Sequence, residues 1–521
     1  MTFEELLEYV AVRDVRLTGV DGTLRYDAPA DAATPELVAA LRSYKGELLR
    51  WLAVPAGERE VTRAPLSAQQ NRMMENVERT GNSSGWNVGL RLELVGELDV
   101  AALDAAVDGL LARHHALRAR LAPDDDIWTQ RILAHQRVPL PVIDLTTLAP
   151  DQARRRAEQA CRAVVEPAFG LADEAPVRYA LIRLDPGESW LVLVVHHIAC
   201  DGWAISVLLR DLAAGYRSAH AGGTADFGPP AAQCTGYAHW QREQWDESTR
   251  RRRLAHWAEH LGEGPLTLDL AFDGPAPDRP TGRAATHRFE IPDEVRRATE
   301  AFAQARGATV GAVTAAAMAL LLARISGQPD VTLSVPHANR SPRAYEEAVT
   351  VMTTALPLRV RTTAAATFAA LVDQTAASLF AGIDNLLPTA WIYGQFLGPA
   401  GGGMPSGVMV SFAFQNTLDM RLDLPGLAVR VHDVPTDAER GALMFGLVPG
   451  RDRLDGYLEY PLDRLTDETA RRWTARYVDL LADACRHPDR PLGDACPHPD
   501  GPLRDAARPD RTGRDPVWNV A

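Results

Sequence analysis

The chain has 521 residues, 46% of them hydrophobic, and a formal net charge of −13. That length exceeds one ordinary hydrophobic core, so two or three domains are expected. The acidic balance argues against general binding to nucleic acid or anionic membranes. Lys45 is the only lysine, while Arg, Ala and Asp are abundant, so scattered arginines carry little functional weight. Cys161, Cys200, Cys234, Cys485 and Cys496 show no CxxC or Cys/His spacing. They read as reduced thiols of a cytosolic protein. The N-terminus "MTFEELLEYV" has no signal-peptide pattern. The apolar run Val310 to Ala323 is too short to span a bilayer and reads as a buried helix.

Residues 1–54 read as a small unit of their own. Thr2 and Glu5 form a capping box for a helix carrying Leu6, Leu7 and Val10. Val15 and Leu17, the Asp21-Gly22 turn, then Leu24 and Tyr26 give a hairpin pattern. Thr34-Pro35-Glu36 opens a helix with Leu37, Leu41, Leu48 and Leu52 on one face. The predicted order is α-β-β-α, and residues 55–65 read as a linker. A two-stranded hairpin has open edges. The unit is therefore either a plain extension or a module that binds a peptide by strand addition.

The body runs from Leu66 to about Asp494. "LSAQQNRMM" opens it, and a strand with Leu90, Leu92 and Leu94 follows. Next comes a helix with Val100, Leu103, Val107 and Leu110 on one face. A hairpin, "VRYALIRLD" and "SWLVLVV", delivers the chain to His196, after which "GWAISVLLRDLAAGY" has amphipathic helical spacing. Strands and helices recur downstream in a second half of similar size. The fold class is therefore α/β, with two lobes at 66–235 and 236–494 and a mobile tail or linker at 495–521.

The stretch "VVHHIACDGW" carries the chemistry. Histidine takes and returns a proton near neutral pH, and a strand end fixes its backbone. Asp201 stands where the chain turns into the helix, placed to pair with an arginine and hold the corner rigid. Gly202 permits close backbone approach or positive φ. Two histidines alone would be an ordinary polar strand end. His196, His197, Asp201 and Gly202 in the order HHxxxDG favour a catalytic reading. The pair His114-His115 sits in a helical pattern without the Asp-Gly and reads as structural.

The first 53 residues resemble the TubC-type docking domain of non-ribosomal peptide synthetases, through the hairpin "VRLTGVDGTLRY" and the helix "TPELVAALRSYKGELL". The resemblance implies that the tail of an upstream synthetase adds to the second strand, Thr23, Leu24, Arg25, Tyr26 and Asp27. Arg16 and Arg25, on the polar face of the hairpin, read either as contacts for a carboxylate in that tail or equally as solvated surface arginines. Family members that capture acidic tails are basic, whereas residues 1–54 hold six basic and nine acidic side chains.

Residues 66 to about 494 resemble a condensation domain of the chloramphenicol-acetyltransferase-like superfamily. Besides HHxxxDG, the first motif is matched at Ser67, Gln70 and Arg72. The second is matched by "RHHALRARL", the fourth by "YAHWQRE" and the fifth by "VPHANRSP". The resemblance implies a V-shaped pseudodimer of two chloramphenicol-acetyltransferase-like lobes. It also implies amide formation between a carrier-bound acyl or peptidyl thioester and a carrier-bound amine. Donor and acceptor carrier proteins would bring phosphopantetheine arms to His197, and the chain itself would bind no cofactor or metal. His196 would be structural, and Asp201 would pair with Arg340, or failing that Arg72. His115, Thr354 and Met74 depart from the family's glutamate, asparagine and tryptophan, and the sixth motif is reduced to "DNLLP". Two rivals stay open. One is a free-standing enzyme that joins a carrier-bound acyl group to a soluble amine or alcohol. The other is a non-catalytic recruitment domain, which would usually lack the second histidine. An epimerisation domain would show a later EGHGR-like stretch, absent here, and a heterocyclisation domain would carry aspartates in place of the histidines.

Overall fold

The computed structural model describes residues 1–492 apart from 14, 21, 30–31, 56–57, 126, 135, 225, 229–230, 263, 275–280, 342, 398–406, 416–421, 440–442 and 451. The expected tail at 495–521, Cys496 and the turn residue Asp21 lie outside the described residues. The chain divides into two compact units. One is Met1–Gln244 with Asn339–Met352 and Leu418–Thr436; the other is Trp245–Ala338, Thr353–Thr417 and Asp437–Ala521. The split expected at 235 is corrected. Residues 236–244 stay with the first unit, which also takes back two later segments.

The N-terminal module starts with α1 (Phe3–Val12), capped by Thr2 and Glu5 as the sequence requires. Strands β1 (Arg16–Val20) and β2 (Thr23–Asp27) pair antiparallel, with Arg16 opposite Asp27 and Thr18 opposite Arg25. Gly22 closes the turn at φ 71°. A Cβ on Gly19 would lie 2.9 Å from a Leu49 methyl, so glycine lets the hairpin rest on the helix behind it. The expected last helix is two, α2 (Pro35–Ser43) and α3 (Lys45–Ala53), so the order is α-β-β-α-α. The joint is Tyr44, at φ −100° and ψ 19°. Ser43 and Gly46, weaker helix formers, flank it. Leu37, Leu41 and Leu48 are still buried together.

The expected linker is corrected as well. Glu60–Pro65 is strand β3, paired antiparallel with a strand of the main body, Ile127–Leu133. Val61 and Ala134 join Leu6, Leu7 and Val10 in one apolar cluster. The Trp51 indole N–H donates to the Glu60 carbonyl at 2.8 Å. Arg59 donates to the carbonyls of Leu52 and Val54, each at 2.8 Å, and lies over the Trp51 ring.

Helix α4 (Ala68–Thr80) and strand β4 (Asn87–Gly96) follow, then α5 (Val100–Arg113). The five-stranded sheet of this unit has β4 between strand Leu427–Val434 and the hairpin strand Glu188–His196. That hairpin strand pairs in turn with Val177–Asp185, and Val142–Asp144 lies at the far edge. The core of this unit packs helix Gly202–His220 and α5 against the sheet. The second unit has a six-stranded sheet in the order Ala284–Ile291, Leu454–Pro461, Leu443–Pro449, Val410–Phe414, Asp330–His337, Thr354–Arg361. Its helix Val310–Ser326 is buried almost all round, which explains its unbroken apolar run. Among the described residues no single helix is long and apolar enough to cross a membrane.

Candidate active site

The strand Glu188–His196 is buried nearly throughout because both faces of its sheet are covered. Its register puts His196 opposite Asn87 at the start of β4. Asn87 is itself anchored, donating to the carbonyls of Val165 and Pro167 at 2.7 and 2.9 Å. The chain then leaves the strand in a tight turn, with Ala199 N–H on the His196 carbonyl at 2.9 Å.

The two histidines differ in environment. His196 is fully buried, edge-on to Phe169, and its Nδ1 accepts from the Ile198 N–H at 3.1 Å. Burial first, then the neighbouring His197 and Arg178, push its pKa down to about 3. It is a neutral, buried imidazole near pH 7. His197 keeps partial exposure. Its backbone N–H donates to the Trp86 carbonyl at 2.7 Å, and its ring stands edge-on to the Trp86 indole at 6.0 Å. Trp86 is a contact the motif comparison did not single out; the aromatic residue just before a strand was its only signal.

Asp201 is the N-cap of helix Gly202–His220. Its Oδ1 accepts from the Ala204 N–H at 2.9 Å and from the Arg340 guanidinium, and its Oδ2 accepts from the Met352 N–H at 2.9 Å. Burial by itself would raise this carboxyl. Arg340 and the two backbone donors outweigh it and hold the pKa below the usual carboxylate range. Arg340 is the partner, and it does more than pair. Its Nη1 also donates to the Ala348 carbonyl at 3.0 Å and Nη2 to the Thr350 carbonyl at 3.4 Å, gathering the 345–352 loop around one guanidinium. Gly202 opens the helix without a positive φ, so the left-handed option raised for it is not used.

Polar side chains around this corner complete it. Asn339, at φ 53°, donates to the Met352 carbonyl at 3.1 Å and to the Tyr237 hydroxyl at 3.4 Å. Gln69 donates to the same Met352 carbonyl at 3.2 Å, and Gln241 donates to Gln69 at 2.9 Å. Trp203 donates to the Glu346 carbonyl at 2.8 Å. The first, fourth and fifth motifs thus meet at the HHxxxDG turn. His196, His197, Asp201, Gly202 and Arg340 all stand here. The docking residues Arg16 and Thr23, Leu24, Arg25, Tyr26 and Asp27 form a separate place on the N-terminal hairpin. Arg16 and Arg25 share its outward face, while Leu24 packs inward.

The second histidine pair is structural, but it does not lie in a helix as its pattern suggested. His114 caps α5 and His115 starts a short 3₁₀ turn. Arg113 and His114 both bind Asp211, each at 2.9 Å. His115 is buried, which drives its pKa to about 3. Among the described residues no group of three or more His, Cys, Asp or Glu is placed to hold a metal ion.

Residues 60–500 match the family model of the condensation domain, and residues 3–53 match that of the TubC N-terminal docking domain. The dimodular nonribosomal peptide synthase of Bacillus subtilis (strain 168) is 31% identical over 448 residues, which cover 82% of this chain and 18% of that protein. The isonitrile lipopeptide synthase of Mycobacterium tuberculosis is 34% identical over 330 residues, or 62% of this chain and 13% of that protein. The chain therefore spans less than a fifth of either relative. The X-domain from teicoplanin biosynthesis superposes with a TM-score of 0.73 at 27% identity, covering 83% of this chain and 97% of that structure.

Proposed function

The chain belongs to the condensation-domain family, and from that premise we propose that it forms an amide bond between two carrier-bound substrates. The amine of the acceptor attacks the thioester carbon of the donor. The C–N bond forms, the C–S bond breaks, and the donor carrier's thiol leaves with a proton. His197 is the group that takes the proton from the attacking nitrogen and can return it to the leaving sulfur. A thioester is already activated, so holding amine and thioester together supplies much of the acceleration. Phosphopantetheine arms belong to the partner carriers, and this chain contributes the imidazole and its setting.

The observation that carries this reading is the asymmetry of the histidine pair. His196 is sealed and neutral, while His197 stays accessible on a turn braced by the Asp201–Arg340 pair. A recruitment domain would have no need of it. We expect His197→Ala to fold normally and to lose amide formation from loaded donor and acceptor carriers, followed by intact mass. Turnover within a few-fold of the unaltered protein would remove His197 from the chemistry.

The N-terminal module, on this reading, receives the tail of an upstream synthetase as a third strand beside β2. With a two-residue turn between Val20 and Thr23, Leu24 and Tyr26 direct their backbone N–H groups to the outer edge. Arg25, with Arg16 across the hairpin, faces solvent beside that edge and supplies positive charge for a carboxylate.

A further inference from the structure

We propose that Gln70 is a positioning residue that fixes His197 through the carbonyl of Ile198, the residue between His197 and Ala199. This rests on the catalytic reading of His197. Gln70 is buried, and its side chain has two functions that use different atoms. Its Oε1 accepts from the Ser67 N–H at 2.9 Å, closing the capping box of α4, while its Nε2 donates to the Ile198 carbonyl at 3.3 Å. Only the second bond touches the histidine turn. Gln130, fully buried, stands behind it, donating to Gln70 Oε1 at 3.4 Å and to the Pro65 carbonyl at 3.1 Å. This backing holds the Gln70 amide in one orientation.

Gln70 is the polar member of an otherwise apolar wall beside the turn. A cavity of about 10 Å³ lies against it, lined by Ala116, Leu121, Leu171, Ile198 and Ala199, with Gln70 as the one polar side chain on its wall. Asp201 braces the turn from its helical end, and the Trp86 carbonyl holds His197 N–H from the strand end. Between them the Ile198 carbonyl is held by Gln70. Loss of this donor lets the imidazole wander by a fraction of an ångström, which lowers the rate without changing how carriers bind.

The test separates capping from positioning. Gln70→Met removes both bonds, and Gln70→Glu keeps an acceptor for the Ser67 N–H. In its buried place the new carboxyl has a raised pKa. Protonated, it donates to Ile198 as the amide did; ionised, it turns an oxygen anion on that carbonyl. With both carriers saturating, Gln70→Met should lower kcat about ten- to hundredfold with KM for each carrier unchanged. Gln70→Glu should approach the unaltered rate at low pH and lose it as pH rises, a limb absent from the unaltered enzyme. His197→Ala is run alongside. If it is inactive while Gln70→Glu follows the unaltered pH profile, or while the Gln70 variants change only the melting temperature, the tether is wrong and the histidine reading stands. If His197→Ala keeps its turnover, the histidine reading itself has failed.

Discussion

Asp201 concentrates several roles in one carboxylate. It caps a helix, binds the Met352 N–H and pairs with Arg340, all out of water. Breaking one side of a buried pair costs about 3–5 kcal/mol because the other charge is stranded. Asp201→Asn should therefore lower the melting temperature strongly at neutral pH. The sign of its pH dependence follows from its depressed pKa. The stabilisation is complete above the unfolded value of about 3.9 and is lost as pH falls through the lower folded value. The gap between variant and unaltered protein should narrow below about pH 4; a gap constant with pH would place the stabilisation elsewhere. Glu439 behaves in the opposite sense. Burial first, then Asp463, push its pKa up to about 7, against a lowering pull from Arg464. A raised folded pKa favours the protonated carboxyl, so stability is lost as pH rises from about 4.3 toward 7. Glu439→Gln should melt higher than the unaltered protein at pH 8 and no higher at pH 4, by scanning calorimetry at both.

Among the elements, β3 changes how the N-terminal module must be understood. A flexible linker would make residues 1–54 a tether that merely raises local carrier concentration. Instead Val61 and Ala134 complete the module's core, and Trp51 and Arg59 lock its last helix to the start of β3. Deleting residues 1–54 should then destabilise the condensation body. Re-exposing one side chain such as Val61 costs about 1.5–3 kcal/mol, and a drop in melting temperature would register it. An unchanged melting temperature would restore the picture of two separate cores. Docking is better tested without deletion. Tyr26→Pro removes an outward strand donor while sparing the inward-packed Leu24. It should abolish binding of the upstream tail in calorimetry and slow transfer at low carrier concentration, with recovery at high concentration. Tail binding indifferent to that proline would end the strand-addition reading.

Over the whole molecule, each unit has a core of its own, and the first is completed by segments far along the chain. Strand Leu427–Val434 pairs with β4, and Arg340 and Met352 bind Asp201. In the second unit Thr354 stands where the family carries an asparagine. Its hydroxyl is buried and shared with Thr389 at 2.9 Å, and Thr389 also accepts from the Ala355 N–H. A side chain tied into the fold in this way offers no amide to a substrate. Our expectation remains a carrier-bound amine. Leaving out the acceptor carrier and adding the free amine should give no product by mass spectrometry; product under those conditions would decide for the soluble acceptor.

Local patterns determined what local physics controls. The Thr2–Glu5 box, the hairpin register, the buried helix Val310–Ser326 and the strand that ends on His196 all follow from spacing and capping within a few residues. The HHxxxDG stretch was legible as a candidate site because its residues fall in one short stretch of chain, and family likeness supplied Arg340, which the structure pairs with Asp201. Tertiary structure decided what depends on partners distant in the chain. The segment 55–65 has no strong strand pattern, and only pairing with Ile127–Leu133 makes its last six residues a strand. The break at Tyr44 was invisible because leucine periodicity runs straight through it. The difference between His196 and His197 arises from burial: His196 is sealed against Phe169, while His197 keeps partial exposure beside the Trp86 ring. Adjacent identical residues acquire different chemistry only when the fold gives them different solvation.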